Sequence, residues 1–370
     1  MKLVSKLGCL VVLLLVGCNT SVTDIYISNS DTNENTFASV NAGLNKILQL
    51  RNEGNSAVIK MHIAEGEYYL ESPIKITPEY GAVHILGAGL EETSIKGSTV
   101  LKNLKWEKYN DNIWKTQFNT SDKIDQLFVN GKQQILARYP NYDENGGHWQ
   151  GHASDAISTE RVATWKNPKT AILHAMHSGE WGGFHYKATG IDSIGNLTLK
   201  YGHQNNRPSK MHPKYRMVEN VFEELDSAGE WFLDGNTLYF WPSKNINLEK
   251  AKVEVVTQKH LLEIVGTEEK PVVNVKVEGI KFEHSQRTLF EEYEPLLRSD
   301  WTIYRGGAVV IEGTKNVSIN NCEFTNLGGN VIMVSNYNRG TTITNNHIHD
   351  CGATAISFVG NPSAVRSPSF

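Results

Sequence analysis

Three residues 42 and 24 positions apart, His284, Asn326 and Asp350, occupy the same place in three related stretches, FEHS, FTNL and IHDC. Beside them lie Glu283, Thr325 and His349. A carboxylate next to an imidazole can move protons near neutral pH, so Asp350 is a candidate general acid or base, with His349 or His284 as its tuner or proton carrier. A twenty-residue insert, QRTLFEEYEPLLRSDWTIYR (Gln286 to Arg305), follows the first stretch and has no counterpart after the other two. It offers Glu291, Glu292 or Glu294 as a second carboxylate. Arg287, Arg298 and Arg305 could hold a carboxylate or a sulfate of a substrate by paired hydrogen bonds, and Trp301 could stack on a substrate ring. Asn326 completes the polar column. Two other roles are open to the same residues: Asn, His and Asp at turns satisfy backbone groups, and the insert's arginines can pair with its own Glu and Asp.

What must position these side chains is a repeat. GGAVVIEGTKNVSINNCEFTNL (Gly306 to Leu327) and GGNVIMVSNYNRGTTITNNHIHDC (Gly328 to Cys351) are two copies of one unit, and GATAISFVGNP opens another. Steps of 22 and 24 residues, each with apolar runs, a Gly/Asn turn and an Asn pair, match the coil of a parallel β-solenoid. Stacked coils would place Val310, Ile332 and Ile356 in one column, Ile319 and Ile343 in another, and Phe282, Phe324 and Ile348 in a third, each step about 4.8 Å. The expected fold is all-β: a right-handed parallel β-helix with an inserted β-rich domain and a short N-terminal capping helix. That helix is predicted within Thr36 to Glu53, where Phe37, Val40, Leu44, Ile47 and Leu48 have helical spacing.

The expected organisation is a signal over residues 1–18, a tether over 19–35, a cap and first coils over 36–97, an inserted domain over 98–251, and main coils over 252–370. The insertion is marked by longer strand-like runs and an Asp234-Gly235 hairpin signal. The chain stops soon after a fresh coil opens, which implies that further coils follow.

Lys2 and Lys6 precede an apolar run ending at Leu15 to Cys18, a pattern that resembles bacterial lipoprotein signals. The resemblance implies cleavage before Cys18, lipidation of that cysteine and an outer-membrane lipoprotein of the bacterial envelope, so the membrane is met through lipid alone. A net charge of −4 on 370 residues gives no reason to expect a nucleic-acid partner. Cys322 and Cys351 fall in different columns and read as thiols. His174, His177, Glu180 and His185 invite a zinc reading, but their spacing is not that of a metal motif, so no metal is expected.

LFVNGKQQILARYPNY (Leu127 to Tyr142) and ENVFEELDSAGEWFLDGNTLYFWP (Glu219 to Pro242), followed by Asn-pair coils, resemble the β-helix carbohydrate-active proteins of glycoside hydrolase family 141. The resemblance covers roughly residues 60–370. It implies a pectin-lyase-like fold and hydrolysis of plant or algal polysaccharide without a cofactor. The catalytic set of that family is not matched residue by residue. A polysaccharide lyase on the same fold, using Ca²⁺, and a non-catalytic glycan-binding lipoprotein are the alternatives; no Asp-rich calcium cluster is visible in the coils.

Overall fold

The computed structural model describes residues 21–30, 36–202, 210–295 and 302–363. Two of its sheets wrap a common core as the faces of a right-handed β-helix. In one, the strands Gly66–Tyr69, Thr93–Lys96, Lys281–Ser285, Glu323–Leu327 and His347–Ile348 stack in parallel. The other is eleven-stranded because one long strand, Val309–Asn320, bends through two faces. Its first half pairs with Leu262–Val265 and Ile332–Arg339, and its second half with Val272–Glu278 and Thr342–Thr344.

The apolar columns are as long as the solenoid. Tyr68, Ile95, Phe282, Phe324 and Ile348 lie in successive register, and the rings of Phe282 and Phe324 stack 5.2 Å apart, 7° from parallel. Burying each such ring is worth roughly 1.5–3 kcal/mol. Ile319 pairs with Ile343 as the repeat predicts. Val310, however, does not stand over Ile332 and Ile356: the inward residue is Val309, and Val310 pairs with Met333 on the outer face. Counting from the paired glycines misplaces the register by one residue, and in a strand one residue reverses the face.

Asparagine keeps the corners. Gly279, Asn321 and Asn345 all have positive φ (71°, 48°, 56°), as do His284, Asn326 and Asp350 (64°, 54°, 49°) at the next corner. Left-handed backbone is tolerated by Gly, Asn and Asp, whose short polar side chains bond locally. The Asn pairs are ladders as well: Asn345 Nδ2 donates to Asn320 Oδ1 at 3.0 Å, and Asn346 Oδ1 accepts from Cys322 N at 2.9 Å. Cys322 and Cys351 are free thiols.

The N-terminal helix spans Val40–Asn52, with Ser39 Oγ accepting from Ala42 N at its start. It buries Val40, Leu44 and Ile47 against the core, while Arg51 donates to the carbonyls of Tyr80, Asn55, Ala57 and Ala82. Part of the expected tether is solenoid instead, since Val22–Ile27 pairs in parallel with Val58–Ile63. Alternation of Val22, Asp24 and Tyr26 with the buried Ile25 and Ile27 is the period-two signal that marks it.

Between Thr93–Lys96 and Lys281–Ser285, which pair in parallel with Lys96 opposite Glu283, the chain leaves to build an eight-stranded and a five-stranded sheet. It departs on Ser98–Leu101 and returns antiparallel to it on Val253–Val256. The solenoid therefore resumes at Leu262, ten residues later than the expected start at 252. Among the described residues no helix is long and apolar enough to cross a membrane, and Cys18 lies outside them.

Candidate functional site

The corner column is real, but its three members live in different surroundings. His284 is 1% exposed. Its ring stacks on Phe128 of the eight-stranded sheet at 3.8 Å between centroids, and Nδ1 meets Ser98 Oγ at 2.7 Å. Burial, aided by the nearby Lys96 ammonium, pushes its pKa down to about 3, so it is neutral. His284 is thus sealed in the seam between solenoid and inserted domain, away from His349 and Asp350. The sequence placed it in the right column and could not show that the insertion covers it.

Around that seam charge is balanced at close range. Lys96 Nζ lies 2.7 Å from Glu67, 3.5 Å from Glu283 and 3.8 Å from the buried Glu254, and Lys252 also bonds Glu67 at 2.7 Å. A second seam holds Arg287. Its Nη1 donates to Glu219 Oε1 at 2.6 Å and its Nε lies 3.5 Å from Asp125. Glu219 also bonds His174 Nε2 at 2.9 Å, and His174 Nδ1 meets His185 Nδ1 at 2.7 Å. Burial opposes ionisation of Glu219, yet Arg287 and His174 hold its carboxyl far below the usual range. Burial, aided by the nearby Arg287 guanidinium, takes His185 down to about 3. Arg287 is therefore a domain tie in this arrangement, bonded through Nη1 to Glu219 and set beside Asp125.

The rest of the insert folds as a hairpin, Tyr293–Pro295 with Thr302–Tyr304. Ile303 packs on the outward-facing Met333 and Val359. Arg305 Nε donates to Glu294 at 3.0 Å, and Arg305 also reaches Ser335 Oγ and the Val359 carbonyl. Glu291 pairs with Lys259 at 2.8 Å. Glu294 and Arg305 thus fasten the hairpin to the solenoid, and Arg298 and Trp301 lie outside the described residues. Of the histidines in the inserted sheet, His177 stacks on Trp181 and accepts from Gly179 N. It does not join His174 and His185. Arg138 pins the loop before His152 by donating to the carbonyls of Pro140, Trp149 and Gly151.

Asp350 has the opposite setting, its side chain 73% exposed. One oxygen bonds His349 Nδ1 at 2.8 Å, while His349 Nε2 faces Glu323 Oε1 at 3.3 Å. Lys281 Nζ also approaches Glu323, at 3.2 Å. The hydrogen bond to Asp350, only partly opposed by burial and helped by Glu323, raises the His349 pKa. Burial works against ionisation of Glu323, but hydrogen bonds from His349 and Lys281 keep its carboxyl below the ordinary value. An imidazole with a carboxylate on each nitrogen spans less than the ~9.5 Å upper limit for the acid and base of an inverting glycosidase. His347 stacks on His349 at 4.3 Å. Asn326 is half-buried at the intervening corner.

Glu323 is the residue sequence reasoning missed. The signal was present, because aligning Phe324 with Ile348 also aligns Glu323 with His347, one step to the other side of the column. Among the described residues, Glu323, His347 and His349 form the group of three whose ligand atoms lie within 4.8 Å of one another.

The β-helix is shared with known proteins. A right-handed β-helix region family matches residues 299–366. A solved structure described as a glycoside hydrolase superposes with a TM-score of 0.68 at 17% identity, over 86% of this chain and 65% of that one. XylC in complex with xylose is similar over 91% of this chain and 51% of its own, at 12% identity and a TM-score of 0.45. The chain thus spans less than two thirds of either structure's length. No curated protein matches it in sequence.

Proposed function

We propose that this protein is a polysaccharide-degrading glycoside hydrolase of the kind found in family 141, acting on plant or algal polysaccharide. The observation that carries the reading is the open corner where His349 holds Glu323 and Asp350, one on each ring nitrogen. Glycoside cleavage needs a proton for the leaving oxygen and a base for water on the opposite side. Asp350, solvent-facing and hydrogen-bonded to a readily protonated imidazole, is the general acid, with His349 as its proton carrier. Glu323, kept ionised by His349 and Lys281, is the base. Lipid anchoring at Cys18, facing the bacterial outer membrane, belongs to the same reading and rests on the N-terminal sequence.

The test is incubation of the protein lacking residues 1–18 with a panel of plant and algal polysaccharides, following reducing ends and the ultraviolet absorbance of unsaturated uronates together. Reducing ends alone, lost in Asp350→Asn, support hydrolysis. Both signals together make the protein a lyase. Silence from a folded protein on every substrate defeats the enzymatic reading in favour of glycan binding.

A further inference from the structure

His349 stands between two carboxylates, with Asp350 Oδ2 on Nδ1 at 2.8 Å and Glu323 Oε1 on Nε2 at 3.3 Å. The Nε2 side is a place that either a proton or a metal ion can occupy.

The surroundings favour the ion. His347, in the strand His347–Ile348, and His349, just past its end, stack with rings 4.3 Å apart, and Glu323 is the register partner of His347 one coil below. The three donor atoms lie within 4.8 Å of each other. Zinc bonds of ~2.0–2.2 Å in a tetrahedron need donors about 3.4 Å apart, a closing movement available to partly exposed side chains. Asp350 on Nδ1 is the orienting carboxylate that metal-bound histidines usually have, fixing the tautomer that presents Nε2. A water would complete four-coordination. Lys281 counts against the ion, because its ammonium sits 3.2 Å from the same Glu323 oxygen and must swing away.

We propose that Glu323, His347 and His349 form a binding site for a divalent transition-metal ion of the zinc type, with Asp350 as its outer support. A bound ion would withdraw Glu323 and His349 from proton transfer, so on the hydrolase reading, on which this consequence rests, metal binding inhibits the enzyme. The binding itself does not depend on that reading.

The experiment is calorimetric titration of the untagged, chelator-treated protein with Zn²⁺, and with Co²⁺ followed by visible absorption. One ion per chain with a tetrahedral cobalt spectrum is expected. His347→Ala, at an exposed position, should weaken binding at least tenfold without changing the circular dichroism. Lys281→Met should tighten it roughly tenfold by removing a like charge. No stoichiometric binding, or binding indifferent to His347→Ala, overturns the site. Polysaccharide hydrolysis is measured in parallel with chelator and with Zn²⁺. Binding without hydrolysis under either condition leaves the metal site standing and removes the hydrolase reading; zinc-insensitive hydrolysis without binding does the reverse.

Discussion

His284 and Asp350 occupy the same corner of the same face two coils apart, with φ of 64° and 49°. One is sealed and the other open to water. The backbone is equivalent, so what differs is the cover: an inserted domain brings Phe128 and Ser98 onto His284, while nothing among the described residues lies over Asp350. A solenoid offers a polar column at each corner, and its insertions decide which members keep their charge chemistry. At the covered corner the charges are paired locally, Lys96 with Glu254 in one seam and Arg287 with Glu219 in the other.

The sharpest way to break this contrast is to exchange function between the two corners. Asp350→Asn keeps the left-handed backbone and removes the titrating oxygen, so turnover should fall by about 10²–10⁴ with stability unchanged. His284→Asn should leave turnover intact. Equal losses of turnover in the two variants, read from steady-state kinetics beside thermal melts, would mean that burial does not separate their roles.

The seam is tested by Arg287→Ala. Removing the guanidinium leaves buried Glu219 to His174 and buried Asp125 to Lys123, a change expected to cost about 3–5 kcal/mol in denaturant unfolding. A loss below 1 kcal/mol would show that water already reaches this cluster.

How much of this could be read from the chain follows from what kind of periodicity each feature has. Phe324 to Ile348 and Ile319 to Ile343 repeat at 24 residues, so the columns, the corners and the position of Asp350 were legible. Val309 was missed for Val310 because glycine spacing varies where the pleat does not. Glu219, His174 and Asp125 gave no signal, since their meeting with Arg287 joins residues 68 or more positions apart across two sheets that share no repeat. Glu294 looked available because its partner Arg305 stands eleven residues away across a hairpin that composition alone does not define. Local periodicity reports on coils, whereas contacts between a solenoid and its insertion are settled by packing.

The two histidines also give opposite responses to pH. His284 is held neutral down to about pH 3, so the unfolded chain binds the extra proton first. Its stabilisation is complete above the unfolded value of about 6.5 and is lost as pH falls toward 3, by up to about 4 kcal/mol. For His349 the folded pKa is raised, so its contribution is complete below about 6.5 and fades as pH climbs through the folded value. Imidazole NMR titration checks both: His284 should stay silent through pH 5–8 while His349 titrates above the ordinary histidine range. A His284 signal that titrates near 6.5 would place water in the seam and end the distinction between the corners.

The smallest effect concerns the residue between them. Asn326 holds φ of 54° with neither the cover of His284 nor the exposure of Asp350. If its role is to make the turn, Asn326→Ala should cost about 1–2 kcal/mol, the strain of a left-handed residue with an ordinary Cβ. Asn326→Gly should stay within about 1 kcal/mol of the parent, because glycine adopts that conformation freely and loses only chain entropy. The ordering matters more than either value. Glycine better than alanine in urea unfolding, with turnover unchanged in both, identifies Asn326 as the backbone residue on which two chemically divergent neighbours are hung. Alanine equal to glycine, with turnover lost, would instead move Asn326 into contact with substrate and extend the open corner one coil toward the seam.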